Sequence, residues 1–381
     1  MNLDINIPSD IPYIAFSIVG VFCLIQLYYI LFVYAKLSRY KVTDLHEAEQ
    51  NLPPLSVIIC ARNEEENLRQ FLLSILEQQY PKFEVIVVDD CSDDDTLLLL
   101  KEFKRKYPHL QLVEIQDHIH LKHNKKFALT LGIKASKYEH LVMTDADCQP
   151  QSDQWLKHIA STYSPSTEIV LGYSPYFKRK GFLNKLIRFE TSHTAMSYLA
   201  YAVKSQAYMG VGRNLSYKKS LFFRAKGFTS HMHIKSGDDD LFVNQNATPS
   251  NVEIAIHPEA HVYSMPKETW KSYYKQKARH SGASVAYKKS HQRMLGIQLV
   301  SAFLFYVGIT TAVAIFPSLW YIALSMYILR LTAQYVTFGS IYSKLGVRDL
   351  LIWLPILDVF FYFYICLNGV FNRKKKIKSW K

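Results

Sequence analysis

Hydrophobic and polar positions divide the chain into three stretches. Residues 11–35 are almost wholly apolar and long enough to cross roughly 30 Å of hydrocarbon. From about residue 54 short apolar runs alternate with amphipathic ones. Leu55-Ser56-Val57-Ile58-Ile59-Cys60 predicts a buried strand. Glu64 to Gln79, with Leu68, Leu72, Ile75 and Leu76 at helical spacing, predicts a helix. Phe83 to Val88 predicts a second strand ending in Asp89-Asp90, followed by a helix through Phe103 and a strand near Leu112 to Ile115. Lys125 to Lys137 reads as helical, and His140 to Met143 as a strand ending in Thr144-Asp145-Ala146-Asp147. Strands alternating with helices predict an α/β domain with a doubly wound, mainly parallel sheet. Three further apolar runs close the chain, at about 294–316, 318–342 and 349–371, with Pro317 and Ser318 as a tight hairpin between the first two.

The charges beside the apolar runs suggest a topology. Asp4 and Asp10 precede the first run and no small-residue cleavage site follows it, so the run reads as a signal anchor rather than a cleaved peptide. Lys36, Arg39 and Lys41 come after it, which places the following domain on the cytoplasmic side. Lys344 and Arg348 return the chain to that side. A third full crossing would strand the six Lys and Arg residues between Arg373 and Lys381 outside, and Pro355 and Asp358 interrupt the last run. The expectation is therefore a re-entrant or interfacial element at 349–371 with a cytoplasmic tail. Boundaries follow: anchor 1–40, α/β domain 50–260, interfacial segment 261–292, membrane segments 293–371 and basic tail 372–381. The net charge of +13 sits largely beside apolar runs, which favours a membrane surface over nucleic acid. Five cysteines form no CxxC pair and read as reduced thiols.

Candidate chemistry lies at the strand ends, where ligands bind in open parallel sheets. Three successive strands end in Ala61-Arg62-Asn63-Glu64, Asp89-Asp90 and Asp145-Ala146-Asp147. Asp145 and Asp147, on an extended segment, would point two carboxylates to one side and suit Mg²⁺ or Mn²⁺ bound with a diphosphate. A second acidic cluster, Asp238-Asp239-Asp240, follows Ser236-Gly237. Crowded carboxylates can raise a pKa and make a proton acceptor; Asp239 is the chosen base and Asp238 the reserve. Lys126 reads as surface charge. Asn214-Leu215-Ser216 and Asn246-Ala247-Thr248 match the glycosylation pattern, which a cytoplasmic domain would not use.

The ordered set Ser56 to Glu64, Val88 to Asp93, Lys125 to Leu129 and Thr144 to Asp147 resembles family 2 glycosyltransferases of the GT-A fold, over about residues 54–285. The resemblance implies a nucleotide pocket lined by Ala61, Asn63 and Glu64, with Asp90 on the base or ribose and Lys125 near the nucleotide. It places Asp145 on the donor, Asp147 on the metal, and the segment Gly210 to Tyr217, with Arg213 and Asn214, beside the donor sugar. Gln276-Lys277-Ala278-Arg279-His280 resembles the Gln-x-x-Arg-Trp segment of processive synthases and lipid-directed relatives, with His280 in place of Trp. There Gln276 joins the catalytic set and Arg279 would stabilise the leaving diphosphate. The expected enzyme is an inverting, multi-pass membrane hexosyl- or N-acetylhexosaminyl-transferase. Its expected partners are a UDP-sugar donor, a lipid or lipid-linked glycan acceptor and the membrane, and its expected location the bacterial inner membrane. A processive polysaccharide synthase and a non-catalytic sugar-nucleotide sensor are the competing readings.

Overall fold

The computed structural model describes residues 10–42, 45, 52–116, 124–234, 236–280 and 282–371, with side chains throughout except those of 279, 280 and 367–371. The chain forms two compact units: Tyr40–Lys288 with Lys344–Gly346, and Met1–Arg39, Lys289–Ser343 and Val347–Lys374. The first unit thus extends beyond the expected 50–260 and takes in the Gln-x-x-Arg segment.

Among the described residues of that unit nine strands form, β1 Leu55–Ala61, β2 Phe83–Asp90, β3 Leu110–Ile115, β4 His140–Asp145, β5 Cys148–Pro150, β6 Ile169–Gly172, β7 Leu215–Lys218, β8 Val252–Ala255 and β9 Val262–Ser264. Seven make one sheet in the order β3-β2-β1-β4-β7-β6-β8, and β5 pairs with β9 in a second. The first four strands are mutually parallel, β7 is antiparallel to both β4 and β6, and β6 is parallel to β8. Every residue of β1 is buried, as expected of a strand covered on both faces. The helix Glu65–Leu76 buries Leu68, Phe71, Leu72, Ile75 and Leu76, the predicted stripe plus one residue. Register aligns the strand ends: Ala61 lies opposite Asp89, and Cys60 opposite Asp145.

The second unit is helical. Ile11–Tyr28 runs through a π-helical turn, Tyr29–Tyr34, into Ala35–Arg39; Lys289–Ile315, Trp320–Lys344 and Leu354–Phe371 follow. Among the described residues three of its helical stretches are long and apolar enough to cross a membrane, Ile11–Arg39, Lys289–Ile315 and Arg348–Cys366. The run at 318–342 does form a helix, but it carries Arg330 and Gln334, both buried. The last run differs from expectation. Pro355 is the second residue of Leu354–Phe371, where a missing N–H costs no helical bond, so it starts the helix instead of breaking it. The basic tail and its expected side lie outside the described residues.

Asp358 does not face solvent either. Its Oδ2 accepts from Arg330 Nη1 at 2.8 Å and from the Tyr306 hydroxyl at 2.5 Å. Arg330 Nη2 donates to Gln26 Oε1 at 3.3 Å, and Gln26 Nε2 donates to Ser301 Oγ at 2.8 Å. One polar knot therefore joins all four long helices of the unit. Buried charges in such a setting persist when they pair with one another. Asp358→Ala should leave the Arg330 cation buried without its partner and lower stability by about 3–5 kcal/mol. The double variant Arg330→Met with Asp358→Leu should recover most of that loss. Thermal unfolding in detergent reads both; equal losses in the single and double variants would refute the pairing argument.

Candidate active site

The ends of β1 and β2 are laced together by their loops. Asn63 has φ +53°, a conformation asparagine tolerates better than most residues. There its N–H donates to Ser92 Oγ at 3.0 Å, and its Oδ1 accepts from Asp93 N at 2.8 Å. Glu64 N donates to Thr96 Oγ1 at 3.0 Å. Ala61 and Asp90 are buried, so Ala61 can present only its backbone to a ligand. Asp89, beside Asp90, is held by Ser92. Burial raises the Asp89 carboxyl above the usual range, and the Ser92 bonds oppose that rise.

At the end of β4 the two acids do not share one extended segment. Asp145 closes the strand, while Ala146 and Asp147 form a turn before β5. Burial, then the Asp145 charge, pushes the Asp147 carboxyl up, against the pull of Arg213. Asp147 Oδ1 accepts from Cys148 Sγ at 3.5 Å. Two neighbouring carboxylates, one of them desolvated, form a donor set suited to a hard divalent cation that draws its remaining ligands from a diphosphate and water.

Lys125 joins this pair to the second acidic cluster. Its Nζ lies 2.8 Å from Asp145 Oδ1 and 3.2 Å from Asp238 Oδ2. Burial would lower the ammonium, but Asp145, Asp238 and Asp239 outweigh it and hold Lys125 charged. Asp238 is desolvated too, yet Lys125 pulls its carboxyl below the usual range. Asp239 goes the other way, up to about 7, through burial and then the charges of Asp238 and Asp240. Asp239 also caps the helix Asp240–Asn246, accepting from Asp240 N at 2.7 Å. Its Oδ2 accepts from Gly212 N at 2.7 Å; a Cβ on Gly212 would stand 3.3 Å from that oxygen, which favours glycine there. Gly237, at φ +95°, supplies the left-handed turn before the cluster.

Lys126 corrects the sequence reading. It is fully buried, and its Nζ donates to the carbonyls of His231, Ile234 and Ser236 at 2.7, 2.7 and 2.8 Å. It ties down the loop that carries Asp238 to Asp240. Helical phase gave no warning, because the carbonyls it meets lie over a hundred residues away in sequence.

Arg213 and Asn214 separate in role. Asn214 is fully buried, its amide engaged with Trp155 Nε1, Tyr173 O and Ala260 O at 3.1, 2.9 and 2.8 Å. It fixes the loop. Arg213 stacks over the Tyr176 ring, 4.4 Å from its centroid, and its Nη2 donates to Ser174 O at 3.0 Å. Its Nη1 is buried with no hydrogen-bond partner among the described residues. Gln276 Nε2 donates to Tyr176 OH at 3.1 Å, which connects the Gln-x-x-Arg helix Trp270–His280 to Arg213. Tyr176 was not legible as a site residue; only the aromatic character of Tyr173 to Phe177 hinted at it. The Arg279 side chain lies outside the described residues. On the same helix Tyr273 is buried and its hydroxyl donates to Glu190 Oε2 at 2.5 Å, with Lys277 pairing to the same carboxylate at 2.7 Å, while Trp270 and Tyr274 remain exposed.

Acids and a lysine thus gather at the carboxyl edge of the parallel strands of a sheet with an antiparallel extension. The pattern of Glycosyl transferase family 2 matches residues 56–224. In three dimensions it is similar to a mannosyltransferase of Pyrobaculum calidifontis solved with GDP-Man and Mn²⁺. The TM-score is 0.56 at 18% identity, over 94% of this chain and 100% of that one, a likeness of fold alone that agrees with GT-A. In sequence it is 37% identical over 115 residues to glycosyltransferase AglE of Haloferax volcanii, covering 30% of this chain and 36% of that protein. It is 25% identical over 232 residues to a poly-beta-1,6-N-acetyl-D-glucosamine synthase of Staphylococcus epidermidis, covering 60% and 54% respectively. The chain thus spans about half or less of the length of these curated relatives.

Lys126→Met keeps the length of the side chain and removes its three N–H donors. A loss of at least ~1–3 kcal/mol is expected from the stranded carbonyls, with faster amide exchange across 236–246. A surface lysine would change stability by no more than about 0.5 kcal/mol, so thermal unfolding with hydrogen-exchange mass spectrometry separates the two.

Proposed function

We propose that the protein transfers a sugar, with inversion, from a nucleoside-diphosphate sugar to a lipid or lipid-linked glycan acceptor at a membrane. The observation that carries this reading is the convergence of Asp145, Asp147, Lys125, Asp238 and Asp239 at one sheet edge. Asn63, Glu64 and the buried Asp90 would receive the nucleoside at the ends of β1 and β2. Asp147 and Asp145 would hold Mg²⁺ or Mn²⁺, whose charge would neutralise the diphosphate. Arg213 has an unengaged buried N–H for an anionic oxygen, and its stacking on Tyr176 fixes the direction in which it donates. Asp239, protonated more readily than its neighbours, would accept the acceptor hydroxyl proton as that oxygen bonds to the anomeric carbon. The bond to the diphosphate breaks in the same step. Asp238, held ionised by Lys125, is better suited to positioning than to proton transfer.

The three apolar helices favour an acceptor presented at a membrane, with the α/β unit on its cytoplasmic side. Similarity to a poly-N-acetylglucosamine synthase favours, as a second reading, repeated addition to one growing chain. A sensor that binds nucleotide sugars without turnover would have no use for a raised carboxyl at Asp239.

Membranes holding the protein, incubated with a panel of radiolabelled UDP- and GDP-sugars and then extracted, test the reading. Label in the lipid fraction is the expected result; label in polymer supports the second reading, and no transfer from any donor refutes both. In that assay Asp147→Asn should abolish transfer and metal-dependent nucleotide binding, and full activity at ordinary metal concentration would refute the metal assignment.

Asp239→Asn should keep donor affinity while turnover falls ~10²-fold or more. For the parent, kcat/KM should rise with pH through about 7, since the carboxyl must lose its proton before it can take one. That limb should vanish in Asp239→Asn. If Asp238→Asn alone shows this profile, Asp238 is the base.

A further inference from the structure

The third acid of the 238–240 cluster has a partner far along the chain. Tyr287 follows the short 3-10 turn Ser284–Ala286, and its hydroxyl donates to Asp240 Oδ2 at 2.8 Å. The next residue, Lys288, donates its N–H to Asn244 Oδ1 at 2.9 Å. Asp240 and Asn244 stand one turn apart on the helix Asp240–Asn246, so the two bonds fasten the segment along one face of it. Asn244 is fully buried and donates in turn to Tyr208 O at 2.7 Å, which makes the second fastening firm. Asp239 is the N-cap of this same helix.

Packing accounts for the Tyr287 ring, which is buried with its centroid 6.2 Å from that of Tyr208. The hydroxyl has a separate task. Burial pushes the Asp240 carboxyl up to about 6, and the Tyr287 hydroxyl is the first of the groups that pull it back. The charge of Lys126 also favours the ionised form, but its three N–H donors are spent on the carbonyls of His231, Ile234 and Ser236. Asp240 Oδ1 accepts from Leu241 N at 2.7 Å. With Tyr287 on Oδ2, both oxygens are engaged and the carboxylate is fixed in direction. Asp239 is tied to the same place, since its Oδ1 accepts from Asp240 N and its Oδ2 from Gly212 N, each at 2.7 Å. A shift of Asp240 therefore passes to the Asp239 carboxylate.

We propose that Tyr287 is a positioning residue for sugar transfer: its hydroxyl holds the Asp240 carboxylate so that Asp239 keeps the orientation in which it takes the acceptor proton. The proposal rests on Asp239 as the base. Tyr287 lies outside residues 56–224, which the family pattern matches, and enters the site from the segment that leads into the helix Lys289–Ile315.

The test measures transfer by membranes holding the full chain, with the donor that the labelled panel identifies. Tyr287→Phe keeps the ring against Tyr208 and removes only the hydroxyl. It should lower kcat ~10-fold, the worth of one hydrogen bond to a charged group, with the donor KM unchanged. Asp240→Ala removes the acceptor of that bond, and in this background Tyr287→Phe should change kcat less than ~2-fold. Hydrogen exchange should quicken across 240–246 in Tyr287→Phe and stay as in the parent across β1, β2 and β4. Parent-like kcat in Tyr287→Phe, an equal loss with and without Asp240, or faster exchange throughout the strands overturns the proposal. Asp239→Asn is run alongside: undiminished turnover there refutes the base assignment and this proposal with it, a result that no Tyr287 variant can imitate.

Discussion

Crowded carboxylates at the carboxyl edge of the sheet set the terms for the rest of the α/β unit. Asp145, Asp147 and the consecutive Asp238, Asp239 and Asp240 are brought together at half-buried positions. Mutual repulsion would drive them apart or protonate them. Two adjacent lysines at the start of one helix oppose that in different ways. Lys125 supplies charge, bridging Asp145 and Asp238. Lys126 supplies geometry, holding three carbonyls of the preceding loop so that the acidic turn cannot swing out. The charge of Lys125 holds the Asp238 carboxyl down, while burial pushes those of Asp239 and Asp240 up. Three identical side chains in a row thereby acquire different properties.

Much of this was legible in the sequence where the signal is local. The four parallel strands were readable because each is a short apolar run bounded by polar strand ends, and the ends themselves marked the site. Asp238 and Asp239 were readable as crowded acids. What could not be read depends on contacts between distant segments. Lys126 follows Lys125 and looks like its surface neighbour, yet the helix turns it inward beneath a loop more than a hundred residues on. Asn214 stood in a segment expected beside the donor, and only the fold shows its amide occupied by Trp155, Tyr173 and Ala260. The turn at Ala146–Asp147 was missed because an Asp-x-Asp pattern carries no information on whether the chain stays extended.

The helical unit shows the same limit in another form. Hydropathy marks apolar runs but treats each charge as an interruption. Asp358 and Pro355 therefore read as breaks in the last run. In the folded unit Arg330 and Asp358 neutralise each other, and Tyr306 and Gln26 add further hydrogen bonds to the guanidinium. Apolar surface alone gives helices no preferred partner in lipid, whereas such polar contacts do. The residues that weaken the apolar signal are those that specify how the four helices meet.

The link from Gln276 through Tyr176 to Arg213 has a consequence for how the Gln-x-x-Arg helix acts. Tyr176 is shared: its ring face takes the guanidinium and its hydroxyl takes the Gln276 amide. A cation stacked on a ring is held in direction as well as place, so the Arg213 donor that remains open points where the stack sends it. Gln276 fixes the ring by its edge, and Tyr273 and Lys277 pin the same helix to Glu190. The helix therefore bears on Arg213 through one aromatic side chain that turns a helix position into a guanidinium orientation. On this geometry the amide at Gln276 matters more than its polarity alone implies, since a shorter or apolar side chain there frees the Tyr176 ring and, with it, the direction of Arg213.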